Sequence, residues 1–136
     1  MLTIAVLLNG LCALGLFAMA GKYLTGPVPA DYHATILEAG GHAPDDSLRT
    51  VVGALYKVMG SAMAAVAVGI VAVSVFGVWS GHFWAKATVL GMVLVVGVPS
   101  TLTAWRVARE NRVKAPWIPA AALSLLGTIA FVISLM

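Results

Sequence analysis

The chain has 136 residues, of which 61% are hydrophobic and 10% are charged, and its mean hydropathy is +1.00. Soluble domains carry roughly 25% charged residues, so this composition excludes an ordinary water-soluble fold and indicates a protein that lies largely in lipid. The net charge of +3 comes from few basic residues, which stand near the ends of the apolar stretches, and nucleic-acid binding is therefore not expected. The single cysteine, Cys12, excludes a disulfide or a two-cysteine redox motif within the chain.

Apolar stretches of helical length follow one another along the sequence. They predict transmembrane helices at about residues 2–24, 48–79, 83–107 and 117–136. A hydrocarbon core of roughly 30 Å requires about 20 helical residues, and inside it every backbone N–H and C=O group must be paired within its own segment. We therefore predict an all-α fold, in which residues 1–136 form a single domain built as a four-transmembrane-helix bundle.

The first loop, residues 25–49, is the longest polar stretch. Within it residues 29–39 predict a short interfacial helix, because Gly40 and Gly41 follow as a stop signal. The connection between the second and third spans is only three residues, 80–82. So short a link makes these two helices antiparallel neighbours.

The first loop also holds the candidate ligand residues His33, Glu38 and His42. His33 and Glu38 do not share a helix face, and neither an H-x-x-x-H nor an H-E-x-x-H motif is present. We therefore predict no metal and no cofactor. No span brings a serine to the depth of a histidine, so we predict no catalytic residues. An enzyme that uses this loop remains the weakest alternative.

Basic residues and tryptophans define the expected orientation. The positive-inside rule places loops 25–49 and 107–116 in the cytoplasm and both termini outside, in what we expect to be a bacterial cytoplasmic membrane. The residues behind this assignment are Lys22, Arg49, Arg106, Arg109, Arg112 and Lys114 on one side and Lys86 on the other. Tryptophan prefers the headgroup level, and Trp79, Trp84, Trp105 and Trp117 flank the same boundaries.

The second span carries a ladder of small residues on one i+4 row, namely Gly53, Ser61, Ala65, Gly69 and Gly77. Small side chains allow another helix to approach closely in lipid. The ladder predicts either packing within this bundle or an interface with a second copy or a partner. Packing within the bundle is favoured, because such stripes are common in membrane bundles.

Three further residues in the spans are candidates for a ligand contact or an interhelical polar contact. Asn9 lies in the first span, and a buried amide needs hydrogen-bond partners. Lys57 lies near the inner end of the second span, at about the depth of Tyr23 and Tyr56; it either extends to the headgroups or pairs with an acid of the first loop. Pro99 predicts a kink in the third span.

The sequence favours a structural or interaction role. It describes a small integral membrane protein that self-associates or is an accessory subunit of a larger membrane complex, surrounded by membrane lipids. The alternative is a carrier or binding protein for a lipid or another small apolar ligand, with Asn9, Lys57 and Pro99 lining its cavity. A coupled antiporter is disfavoured, because no Asp or Glu lies within a predicted span.

Overall fold

The structure is a computed structural model that describes residues 1–41 and 45–136; the candidate residue His42 lies outside the described residues. Over the described part of the chain the fold is all-α. The helices are α1 (Leu2–Thr25), α2 (Asp31–Ala39), α3 (Asp46–Val73), α4 (Phe83–Asn111) and α5 (Trp117–Ser134), and a π-helical turn, Ser74–Val78, extends α3.

The long helices α1, α3 with its π-helical turn, α4 and α5 are each long and apolar enough to cross a membrane. Between the first two of them, the short helix α2 occupies most of the stretch predicted for the interfacial helix. The predicted bundle of four spanning helices is confirmed. The chain is an integral membrane protein.

One helix is longer than the sequence indicated. We expected a loop from residue 107, but α4 continues to Asn111, since residues 108–110 are Ala, Arg and Glu, which favour helix. The helix ends at Arg112, whose φ of 54° lies in the left-handed region that glycine usually occupies at a helix C-terminus. The connection to α5 therefore spans only residues 112–116.

The spanning helices do not all pack equally against one another. α1 packs along both α3 and α5, and α4 packs along α5, whereas α4 meets α3 mainly through the π-helical turn. Lys86 Nζ, near the start of α4, donates a hydrogen bond to the carbonyl oxygen of Ser134 at the end of α5, and Gly81 lies beside Leu2. Both termini and the 80–82 connection thus share one end, which we call the turn end. The opposite end, formed by α2, the starts of α3 and α5 and the end of α4, is the loop end.

The turn end is closely packed. Ala5, Val78, Ala85 and Ala130 have no exposed surface. A Cβ atom added at Gly77 would lie 2.4 Å from the Cβ of Ala85, a separation that carbon atoms do not adopt. Glycine at this position therefore allows the π-helical turn to approach α4.

The small-residue ladder of α3 is divided between two environments. Gly53, Gly69 and Gly77 face side chains of this same chain. Ser61 and Ala65 are exposed on the outer surface of the bundle. Positions four apart on an α-helix rotate by about 40° per step, so a row as long as this one winds around the helix and cannot face a single neighbour.

Candidate functional site

A group of aromatic side chains at the loop end fastens α2 to the bundle. We call Tyr23, Tyr32, His33 and Tyr56 the Tyr–His cluster. Tyr23 of α1 and Tyr56 of α3 are both buried, with ring centroids 5.0 Å apart in an edge-on arrangement. Against them α2 places Tyr32 and His33, whose rings lie 3.9 Å apart. The cluster therefore joins three helices that lie in different parts of the sequence.

Hydrogen bonds fix the geometry of this cluster. The hydroxyl of Tyr56 accepts a hydrogen bond from the backbone N–H of Ala30 at 3.1 Å and also contacts Nδ1 of His33. A phenol hydroxyl can both accept and donate, so either Tyr56 or His33 can supply the proton of their contact. The hydroxyls of Tyr23 and Tyr32 lie 3.0 Å apart. These contacts hold the first turn of α2 in place.

The α2 members of the cluster are held in their neutral forms. Burial lowers the pKa of His33 below its ordinary value, since a partly buried imidazolium loses hydration. Burial, together with the hydrogen bond to Tyr23, raises the pKa of Tyr32. A neutral network of this kind holds α2 in place and supplies neither a charged nucleophile nor a charged ligand near neutral pH.

Beside the cluster an open cavity of about 660 Å³ with charged residues in its lining lies at the loop end. This volume falls within the range of roughly 300–1,000 Å³ that is usual for small-molecule sites. We call it the surface cavity. Its lining residues are Lys22, Asp31, Tyr32, Thr35, Arg112, Val113, Lys114, Ala115 and Pro116. Because Tyr32 belongs both to this lining and to the Tyr–His cluster, the cluster sets the position of one wall.

A smaller cavity of about 60 Å³ lies deeper, among the spanning helices. We call it the inner cavity. Its lining comes from α1 and α3 (Cys12, Leu16, Met19, Met63), from α4 (Val93, Val96, Gly97, Ser100) and from Pro116 and the start of α5 (Pro119, Ala120, Leu123, Ser124). All of the spanning helices contribute to it, with Met63 as the α3 residue in its lining.

The inner cavity presents an apolar surface although two serines and a cysteine line it. Ser100 Oγ donates to the carbonyl oxygen of Val96 at 2.7 Å, and Ser124 Oγ donates to that of Ala120 at 2.9 Å. The thiol of Cys12 points to the carbonyl oxygen of Leu123 at 3.6 Å. Their donors are therefore already used, and an occupant would meet hydrocarbon surface.

The two cavities share one lining residue, Pro116, which precedes α5. The surface cavity is open and has basic residues in its lining, whereas the inner cavity is an apolar space among the spanning helices. This arrangement suits an elongated molecule with one polar end and one apolar end.

The candidates predicted from the sequence lie mostly elsewhere. Asn9 is buried in α1, Lys57 and Pro99 are exposed on α3 and α4, and neither cavity has any of these three in its lining. Glu38 is exposed on α2. Of the two loop candidates that the structure describes, His33 lies next to a cavity wall, through the Tyr–His cluster.

Sequence reasoning missed the basic residues of the surface cavity as a site. Lys22 lies in the last turn of α1, and Arg112 and Lys114 follow α4. From the sequence, we used these residues to orient the chain in the membrane. A signal was present, because antiparallel spans bring the end of the first and the end of the third to the same side. It could not show that the three side chains surround one space.

Among residues 1–41 and 45–136, no three His, Cys, Asp or Glu side chains lie close enough together to share a metal ion. Comparison of the chain with protein-family models, with curated proteins and with solved structures gave no match. The functional interpretation therefore rests on the chemistry of the two cavities.

Proposed function

We propose that this protein binds a lipid or another elongated apolar ligand, part of which enters the inner cavity. The observation that carries the proposal is a pair of cavities, one apolar and one with basic residues in its lining, that share the lining residue Pro116. Of the two functions that the sequence left open, the ligand-binding role fits this geometry better than a purely structural role.

The size of the inner cavity limits what can occupy it. At about 60 Å³ it is far smaller than the roughly 300–1,000 Å³ of a typical small-molecule pocket. A short stretch of an alkyl chain fits this space, and a ring system of drug size does not. Met19 and Met63 line it, and their flexible thioether side chains adapt readily to a chain of variable shape.

The energetics of such binding differ from those of a soluble lipid carrier. An alkyl chain that leaves the bilayer for an apolar cavity exchanges one hydrocarbon environment for another, so the hydrophobic effect contributes little. The inner cavity therefore fixes the place and orientation of the chain. The polar end of the ligand supplies the affinity that distinguishes it from bulk lipid.

We also propose that the loop end faces the cytoplasm, in a bacterial cytoplasmic membrane. The support is the excess of Lys and Arg at that end, which is the sequence signal for cytoplasmic loops. A tag placed after Met136 should then react with membrane-impermeant reagents outside intact cells. A tag that reacts only after the cells are opened contradicts this orientation.

A matched pair of substitutions on α5 tests the ligand-binding proposal. Ala120→Leu extends a side chain into the inner cavity, whereas Ala122→Leu makes the same change at an exposed position two residues further along. Native mass spectrometry of protein purified in mild detergent should show a bound lipid-like molecule in the wild type and in Ala122→Leu, and most of it lost in Ala120→Leu. Ser100→Val fills the same space from α4 and should give the same loss.

The proposal fails if the wild-type protein retains no such molecule. It also fails if the cavity variants retain as much of it as Ala122→Leu does. Thermal unfolding of each variant in the same detergent shows whether a loss of ligand comes from a loss of fold.

The second candidate function is the self-associating or accessory role. The observation that favours it is the exposure of Ser61 and Ala65 on the outer face of α3, since small residues on a lipid-facing surface allow close helix contact. The same mass spectra report the number of subunits. If this role holds, the wild type gives an oligomer that Ser61→Leu and Ala65→Leu dissociate; a monomer throughout contradicts self-association.

A further inference from the structure

The surface cavity has an excess of positive charge. Lys22, Arg112 and Lys114 line it, and Asp31 is the one carboxylate among its described lining residues. The cations come from two separate parts of the chain, the last turn of α1 and the connection after α4. Residues from distant parts of a sequence that surround one space form a more specific site than a run of neighbouring basic residues.

The hydroxyl groups of the cavity have partners within the protein, so the three cations are the main groups that recognise an occupant. Thr35 Oγ1 donates to the carbonyl oxygen of Asp31 at 2.9 Å, and the hydroxyl of Tyr32 lies 3.0 Å from that of Tyr23. An occupant of the surface cavity is therefore selected by charge. Guanidinium and ammonium groups bind phosphate oxygens through charge-assisted hydrogen bonds.

We propose that the surface cavity binds the phosphate of an anionic phospholipid whose alkyl chain enters the inner cavity past Pro116. This inference rests on the proposed function and names the class of ligand for the same site. The excess of cations over Asp31 favours a headgroup with net negative charge over a zwitterionic one, whose ammonium group would meet the positive lining. Because the inner cavity adds little free energy over the bilayer, this charge preference is the basis of selection.

The position of Arg112 supports this assignment. Its φ of 54° places a non-glycine residue in the left-handed region, which costs free energy relative to an ordinary conformation. Glycine or asparagine would end α4 without that cost. A long cationic side chain at this point instead reaches the surface cavity, which it lines.

The test compares lipids that share their alkyl chains and differ in headgroup charge. Purified protein is titrated in mild detergent with dioleoyl phosphatidylglycerol and, separately, with dioleoyl phosphatidylcholine, and bound lipid is counted by native mass spectrometry. The wild type should bind the anionic lipid about tenfold more tightly, because the cations of the lining outnumber its carboxylate and attract an anionic headgroup.

Two double variants that remove the same charge distinguish lipid binding in the surface cavity from attraction to the basic surface in general. Arg112→Gln with Lys114→Gln should abolish the preference for the anionic lipid. Arg106→Gln with Arg109→Gln removes the same charge from exposed positions on α4 that lie outside both cavities, and should keep the preference. Equal unfolding temperatures for the two double variants show that the comparison reports binding and not misfolding.

The remaining outcomes distinguish this inference from the proposed function. Equal binding of both lipids, with binding still lost in Ala120→Leu, overturns the anionic assignment and leaves the proposed function standing. Absence of any bound lipid overturns both. If both double variants lose the preference equally, general surface charge explains it and the cavity assignment is wrong. Inorganic phosphate that binds with the same dependence on Arg112 and Lys114, in the absence of any alkyl chain, overturns the assignment to a lipid.

Discussion

The two ends of the bundle differ in the side chains that pack there. At the turn end, glycine and alanine bring the π-helical turn and α4 into direct contact, and no space remains beside Gly77. At the loop end, two cavities lie between elements, and a hydrogen-bonded aromatic cluster holds the short helix α2 in place. Small residues thus close one end of the bundle, whereas at the other end larger side chains and a short helix surround open space.

The substitution with the greatest predicted effect tests how closely the turn end is packed. Gly77→Ala should destabilise the protein by about 2–3 kcal/mol, because the new Cβ atom overlaps Ala85 and helices must separate to admit it. Gly91→Ala on α4, where a Cβ meets nothing within 4 Å, should be neutral or slightly stabilising. Unfolding in mixed micelles measures both. Equal stability of the two variants would show that the turn end has room, and the comparison between the ends would not hold.

A smaller effect is expected from the hydrogen bonds of the loop end. Tyr56→Phe leaves the buried N–H of Ala30 without its acceptor and should cost about 1–2 kcal/mol. The loss should be local and appear as faster amide hydrogen exchange in residues 31–39. Tyr23→Phe removes only the contact with the Tyr32 hydroxyl, so it should accelerate this exchange less. If exchange in α2 stays unchanged in both variants, the Tyr–His cluster does not hold this helix.

The smallest expected effect is a dependence of α2 on pH. Burial holds the pKa of His33 in the folded protein below its ordinary value of 6.5, so the unfolded chain takes up the proton first as the pH falls. The attachment of α2 is therefore complete above pH 6.5 and weakens as the pH falls below it. The groups in contact with His33 are Tyr32 and Tyr56, which are uncharged in this range.

Hydrogen exchange of residues 31–39, corrected for the intrinsic effect of pH, should rise on mild acidification. His33→Gln should remove this dependence. His82→Gln, at an exposed site in the turn end, should keep it. A dependence that persists without His33 would assign the effect to another group.

The spanning helices could be predicted from the sequence because their lengths and apolar composition are properties of contiguous residues. The short helix α2 was found for a similar reason, since its glycine stop lies directly after it. The end of α4 was not found, because Arg112 adopts a left-handed conformation that its side chain does not signal. The local sequence thus predicts where helices form. It predicts less well where a helix ends, when the residue at the end has an unusual backbone conformation.

The cavities could not be predicted, because each is lined by residues from separate parts of the chain that only the fold brings together. The sequence placed Tyr23 and Tyr56 at a similar depth, and the structure brings their rings into contact. It placed Lys22 and Lys114 on the same side without showing that they surround one space. Asn9, Lys57 and Pro99 were predicted as candidates because such residues are unusual within apolar stretches. A site formed by ordinary residues at helix ends carries no comparable signal.

The start of α5 has a consequence for the surrounding bilayer. At 18 residues this helix is about 27 Å long, shorter than the roughly 30 Å of a typical hydrocarbon core. Its first turn includes Pro119, which has no N–H group to leave unpaired in lipid, and Trp117 N–H is already bonded to Ala115 O at 2.9 Å. Because Trp117, the first residue of α5, prefers the headgroup level, the bilayer next to Pro116 must thin to match this short helix. Such a local deformation would bring headgroups down to the level of the cavities without any movement of the protein.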